Sequence, residues 1–411
     1  MKLHLNSPVK NLIKTSIKIT GSKSESNRIL LLQALYPNVS IENTSNSDDA
    51  QVMQKGLKIS HGEVDIHHAG TAMRFLTAYF ATQEGKEVIL TGSQRMTERP
   101  IGVLVDALKS LGAEISYVKN EGFPPLKIIG KKITQQKVSL PADISSQYIS
   151  ALLLNASSLE NGLEIELVGK VTSVPYIKMT LALLSQLNIE NSFEGNTIKV
   201  LPKKEVAAKT LVVESDWSSA SYFYSICALA EIGSEIILSA YKENSLQGDS
   251  VLATIYKSFG VETTFEGHTI LLKKVANHQN ELLEVDLANA PDIAQTIAVT
   301  CFGLGMECYL TGLHTLKIKE TDRLEALKIE LSKLGSNISV TDKTLTLNVT
   351  STPLSHRKDI AIDTYNDHRM AMAFAPLALI TSIFINDAEV VSKSYPDFWN
   401  DMKSVGINVK M

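Results

Sequence analysis

Four apolar helix-like runs in this 411-residue sequence begin with Lys or Arg, where a helix is better served by an acid. Gly21-Ser22-Lys23-Ser24 precedes Ile29–Leu35, and Ala69-Gly70-Thr71-Ala72-Met73-Arg74 precedes Phe75–Phe80. Lys319-Glu320-Thr321-Asp322-Arg323 precedes Leu324–Leu334, and Asn366-Asp367-His368-Arg369 precedes Met370–Leu377. A helix N-terminus already carries partial positive charge and unpaired N–H groups, so an added cation is unfavourable unless an anion offsets it. Phosphate suits such a site. One such start is unremarkable; four together point to a multiply anionic ligand.

Each motif also has a structural reading. Thr321 or Asp322 can cap the helix that follows, but Lys319, Glu320 and Arg323 are not needed for that. Ser22 or Ser24 is a good N-cap, and Lys23 with Arg28 places two cations around one helix start. Gly21-Ser22-Lys23-Ser24 lacks the preceding glycine of a Walker loop, which excludes a P-loop. Ser145-Ser146-Gln147 and Ser173-Val174-Pro175-Tyr176 open two further runs, and their hydroxyls serve as caps or as ligands of substrate oxygens. Arg95 and Arg99 flank another start, with Pro100 in the favoured first turn, and Asp292 is by default a capping acid. His67 and His68 are adjacent, so on a strand they face opposite ways and cannot chelate one metal. No metal site is expected.

The elements that carry these residues repeat. Amphipathic helices end at Gly112, Asn188, Gly260, Gly335 and Gly406, spaced 76, 72, 75 and 71 residues apart. Gly or Asn at such a point predicts a left-handed C-cap. Period-2 segments such as Glu114–Val118, Val261–Phe265 and Asn337–Val340 follow, several with a polar turn and a returning strand. A shorter sixth copy ends near Lys55-Gly56-Leu57. Six mixed α/β units, three to a domain, are the expected architecture.

Bulk properties bound the ligand. A chain of 411 residues exceeds one ordinary core, and 44% hydrophobic with 20% charged residues is a globular composition. The net charge of −4, from 40 basic and 44 acidic residues, argues against a nucleic-acid or anionic-membrane surface. Anion affinity must therefore come from a local cluster, which favours a small ligand in a cleft. Three cysteines make no disulfide framework, Met1–Thr20 lacks a signal-peptide core, and Ala371–Ile385 is too short and too interrupted to span a bilayer. A cytoplasmic protein is expected.

The motifs together resemble the 5-enolpyruvylshikimate-3-phosphate synthase family. The resemblance rests on Gly21–Arg28, Ala69–Arg74, Arg95–Pro100, Lys319–Arg323, Asn366–Met372 and Lys393-Ser394-Tyr395-Pro396-Asp397, in the family's order and essentially end to end. It implies an α/β (α+β) inside-out fold: two similar domains, each of three βαβαββ-type repeats around a pseudo-threefold axis, with the active site between them. Crossovers are implied near residues 21 and 215, so that 22–214 forms one domain and 1–21 plus 215–411 a discontinuous second.

The implied reaction transfers the enolpyruvyl group of phosphoenolpyruvate to the 5-hydroxyl of shikimate 3-phosphate, without cofactor or metal. By resemblance, Lys23, Ser24, Arg28, Ser145, Ser146, Ser173, Tyr176, Asp292 and Lys319 serve shikimate 3-phosphate. Lys23, Gly70, Arg95, Gln147, Arg323, Arg369 and Lys393 serve phosphoenolpyruvate, and Asp292, Glu320 and Lys23 carry the proton traffic. Arg74 is expected to brace the Gly70 loop or pair with an acid. The implied partners are these small anions only, with no nucleic acid or membrane, and the implied state is a monomer. Departures from the family pattern are His67-His68, Phe75 and Thr315. Phe75 beside Arg74 should press on the Gly70 loop and weaken inhibition by glyphosate, the inhibitor that targets this family. The alternatives are the sister transferase acting on UDP-N-acetylglucosamine, whose reactive loop cysteine has no counterpart in Arg95–Pro100, and a non-catalytic anion-binding module on the same scaffold.

Overall fold

A computed structural model describes residues 1–7, 12–142, 145–169, 171, 174–278, 281–349 and 354–411. The chain forms two compact units, Gly21–Val213 and the pairing of Met1–Thr20 with Glu214–Met411.

Five four-stranded sheets share one plan: a parallel pair, then two strands each antiparallel to the one before. In the continuous unit these are His61–Asp65, Glu87–Thr91, Leu126–Ile129, Glu114–Tyr117, and Lys137–Pro141, Leu163–Val168, Thr197–Val200, Asn191–Glu194. The two-segment unit repeats the plan in Lys14–Ile17, Glu235–Ser239, Thr269–Lys274, Val261–Glu266, and in Leu283–Asp286, Cys308–Thr311, Leu345–Asn348, Asn337–Val340. Its third sheet is built from Ile360–Ile362, Ile383–Ile385, Leu3–Asn6 and Asn408–Lys410, with the N-terminal strand supplying the third position. The sixth sheet, among the described residues, stops at the parallel pair Val39–Glu42 and Lys209–Val212.

Local backbone chemistry explains the period. Gly112, Asn188, Gly260, Gly335 and Gly406 are all left-handed, φ 103°, 55°, 74°, 87° and 90°, which reverses the chain from helix into strand. Gly56 is different. It is the last residue of the helix Asp48–Gly56, and a Cβ there would stand 2.6 Å from Leu76 Cδ1. Close approach, not a left-handed turn, requires glycine at this position.

Six helices with little exposed surface occupy the interior. They are α1 (Lys23–Leu35), α2 (Gly70–Thr82) and α3 (Ser146–Ala156) in the continuous unit. In the two-segment unit they are α4 (Trp217–Leu229), α5 (Ala294–Leu304) and α6 (His368–Phe374). Burial runs unbroken from Glu25 to Leu32 and from Gly70 to Ala81, where a surface helix would bury one stripe. Small hydroxyl residues let these helices pack closely, and buried pairs such as Ser221–Thr296 at 3.0 Å and Ser225–Thr300 at 2.8 Å satisfy them.

Candidate active site

In the two-segment unit the predicted charges gather around Asp292, in the turn Pro291–Ile293 that leads into α5. Arg323 Nη1 donates to Asp292 Oδ1 at 2.9 Å, Lys319 Nζ stands 3.4 Å from the same oxygen, and Arg369 Nη2 lies 3.3 Å from Oδ2. Arg369 also donates to the Asp292 carbonyl at 3.1 Å and to Ser218 Oγ at 3.2 Å, so it ties together the first turns of α4 and α6 and the turn that leads into α5.

Arg323 opens the helix Arg323–Lys333, whose cap is Asp322: its Oδ1 accepts from the N–H groups of Leu324 and Glu325. Arg323 is 1% exposed, and its guanidinium donates to Glu320 at 2.8 Å and to Asp367 at 2.7 Å as well as to Asp292. Burial pulls against this cation, but the carboxylates of Asp367, Glu320 and Asp292 reverse the effect and hold it well above its ordinary range. Arg369 behaves alike: burial opposes its charge, and Asp292, Tyr222 and Asp249 restore it. Lys393 joins through the backbone, donating to the Asn366 carbonyl at 2.6 Å.

The continuous unit is built differently. Helices α1 and α2 start without a side-chain cap, Ser22 and Ala69 standing at their cap positions, so their first-turn N–H groups are left to other acceptors. Ser145 does cap α3, accepting from the Gln147 N–H. Lys23 stands 3.6 Å from the carboxylate of Asp49. Gln147 donates to Thr71 Oγ1 at 3.2 Å, which links the starts of α3 and α2.

Arg28 is 2% exposed. Its guanidinium donates to Thr180 and Ser150 hydroxyls at 2.8 and 2.9 Å and to the Ser24 carbonyl at 2.7 Å, with the rings of Phe75 and Tyr176 at 5.4 and 5.9 Å. No carboxylate lies within ion-pair distance among the described residues, and burial lowers its pKa to about 10 against weaker support from Tyr176 and Glu25. Phe75 therefore lies beside Arg28 as well as following Arg74 in sequence.

Arg74 donates to the Gly70 carbonyl and to the Pro100 carbonyl, both at 3.1 Å, so it braces the Gly70 loop. Arg95 is exposed and pairs with Glu98 at 3.2 Å. Arg99 occupies the place over Gly70: a Cβ on that glycine would stand 2.6 Å from Arg99 Nη1. The two arginines look alike in the sequence, and only the packing separates them. Ser146 is buried at the start of α3, Ser145 is exposed, and Ser173 lies outside the described residues.

Sequence reasoning missed Asp49, 26 positions from Lys23, and Asp249, which accepts from Ser218. Asp249 is 5% exposed, and burial, followed by the charge of Asp292, pushes its carboxyl up to about 7 against the pull of Arg369. Neither acid carries a local signal, because each meets its partner through the fold.

A sequence model of the family described as EPSP synthase (3-phosphoshikimate 1-carboxyvinyltransferase) matches residues 57–402. The chain belongs to the EPSP synthase family. A Bacteroides fragilis (strain YCH46) 3-phosphoshikimate 1-carboxyvinyltransferase is 43% identical, over 100% of this chain and 99% of the relative. The Haemophilus influenzae (strain ATCC 51907) protein of the same name is 36% identical, with 96% of each chain covered. In fold, the chain is similar to EPSP synthase from Acinetobacter baumannii, with a TM-score of 0.82 at 20% identity and 100% of both chains covered. The family match does not favour the sister transferase acting on UDP-N-acetylglucosamine.

Proposed function

We infer that this enzyme transfers the enolpyruvyl group of phosphoenolpyruvate to the 5-hydroxyl of shikimate 3-phosphate, releasing phosphate. The observation that carries its chemistry is the Asp292 carboxylate, ringed by Lys319, Arg323 and Arg369. Three cations around one acid favour its ionised form, which a base for the 5-hydroxyl needs. As the hydroxyl oxygen bonds the central carbon of phosphoenolpyruvate, Asp292 takes its proton and Lys23 or Glu320 gives one to the methylene carbon. In the second half the new methyl group returns a proton, the carbon–oxygen bond to phosphate breaks, and the enol ether forms. Arg323, Arg369, Lys393 and Lys23 provide fixed positive charge for the departing phosphate.

Shikimate 3-phosphate is assigned to Ser24, Arg28, Ser145, Ser146, Ser173, Tyr176 and Lys319. The buried Arg28 cation, held by hydroxyls and carbonyls and not by a carboxylate, supports that assignment. Phosphoenolpyruvate is assigned to Lys23, Gly70, Arg95, Gln147, Arg323, Arg369 and Lys393, and the contact of Arg99 with Gly70 adds Arg99 to that group. A monomer is proposed because one chain carries the candidate contacts for both substrates. A cytoplasmic setting is supported by three cysteines that are all buried and unbridged. The test is phosphate release from phosphoenolpyruvate, which is expected only when shikimate 3-phosphate is present. Release that depends on UDP-N-acetylglucosamine would overturn the reading.

A further inference from the structure

The turn before α6 is strained, and it touches several of the candidate phosphoenolpyruvate groups. Tyr365 and Asn366 are both left-handed, at φ 54° and 57°; asparagine adopts this region readily but tyrosine does not, so surrounding contacts must hold Tyr365 there. The Asn366 carbonyl accepts from Lys393 Nζ at 2.6 Å. The next residue, Asp367, caps α6 by accepting from the Arg369 N–H at 2.9 Å and grips Arg323 at 2.7 Å. This left-handed pair thus sets the acceptors that aim Lys393 and Arg323.

What holds the turn lies on its other side. Tyr365 Oη donates to Glu330 Oε1 at 2.6 Å, and Glu330 is fully buried. Its second oxygen accepts from Lys333 Nζ at 2.8 Å and from the Asp363 N–H at 3.1 Å. Asp363 in turn accepts from Lys333 and from Asn386, both at 2.7 Å. Glu330 sits two turns along the helix that Arg323 opens. One rigid helix therefore clamps the turn twice, through Arg323 to Asp367 and through Glu330 to Tyr365. A buried carboxylate is unfavourable unless its partners are complete, and completed partners fix geometry more tightly than an apolar contact of the same size.

We propose that Tyr365 and Glu330 are positioning residues for phosphoenolpyruvate: their bond fixes the Asn366 carbonyl and Asp367 carboxylate, and through them the ammonium of Lys393 and the guanidinium of Arg323. The proposal rests on the assignment of Lys393 and Arg323 to phosphoenolpyruvate. Its test is Tyr365→Phe, which keeps the ring and removes the bond, measured beside Lys393→Ala and the double variant. Tyr365→Phe raises KM for phosphoenolpyruvate by about tenfold, leaves KM for shikimate 3-phosphate unchanged, and shifts Tm by no more than about 2–4 °C. The double variant is worse than Lys393→Ala alone by less than the full Tyr365→Phe effect, because the two changes share the route to Lys393 and only the route to Arg323 is left to lose. Additive losses, or a Tyr365→Phe enzyme that loses Tm and affinity for both substrates equally, would overturn the proposal. An unchanged KM in Tyr365→Phe while Lys393→Ala raises it overturns the positioning role alone. An unchanged KM in Lys393→Ala overturns the assignment on which it rests.

Discussion

In the proposed mechanism Asp292 takes the proton of the 5-hydroxyl, and its surroundings say what removing its charge does. Asp292→Asn leaves Arg323 and Arg369 their amide-oxygen contact but cannot take a proton, so turnover is expected to fall by about 10²–10⁴-fold with the fold intact. Steady-state phosphate release measures this, and full turnover in the variant removes Asp292 as the base. Gly70 makes a second prediction. The methyl group of Gly70→Ala would stand 2.6 Å from Arg99 Nη1, so the guanidinium must move. KM for phosphoenolpyruvate is expected to rise by about tenfold or more, corresponding to about 1.4 kcal/mol of binding. An unchanged KM would show that Arg99 does not serve this substrate. Arg74 presents the same side-chain type to different effect: its charge is spent on the Gly70 and Pro100 carbonyls, so it shapes the loop.

At the scale of elements, capping and burial decide what each helix start can do. Asp322 holds two N–H groups of the helix Arg323–Lys333, and Asp322→Ala should lower stability by about 1 kcal/mol in urea unfolding. The turn Gly248–Val251 brings Asp249 against Ser218 of α4, and through it against Arg369. Because the folded carboxyl of Asp249 is raised from 3.8 to about 7, the folded state holds its proton more tightly than the unfolded chain does. Its ionisation therefore removes stability as pH rises from about 4 through about 7, and the loss levels off above that. Asp249→Asn does not ionise, so the stability of the wild type relative to this variant should decline between pH 5 and 8. The decline is on the order of a few kcal/mol. Urea unfolding at the two pH values measures it, and parallel stabilities would refute the raised pKa.

At the scale of the whole molecule, the chain path makes the two units unequal. Gly21–Val213 is one continuous segment, and its ends are tied by the parallel pair Val39–Glu42 and Lys209–Val212. The other unit needs Leu3–Asn6 between Ile383–Ile385 and Asn408–Lys410, and it buries Leu3 and Leu5 in its core. A fragment of residues 21–213 should therefore unfold cooperatively on its own. A fragment of 214–411 should not unless residues 1–20 are restored, because a sheet without its inner strand leaves two unpaired edges. Circular dichroism and thermal melts of the three fragments decide this, and a cooperative transition in 214–411 alone would contradict it.

The sequence determined what is local. Left-handed Gly or Asn at five regular points marks the repeat, because a helix that turns straight into a strand needs that backbone geometry at one residue. Cations at Lys23, Arg323 and Arg369 were legible because helix-end electrostatics acts within one turn. The resemblance of Gly21–Arg28, Lys319–Arg323 and Asn366–Met372 to the family then implied a substrate for those cations. Tertiary structure alone decided the pairings made across the chain. Asp49 meets Lys23, Glu330 meets Tyr365, and Arg99 rather than Arg95 packs on Gly70. No spacing rule reaches these contacts, since each depends on how separate helices and sheets pack. A charged residue announces that it wants a partner; only the packed fold chooses which one it meets.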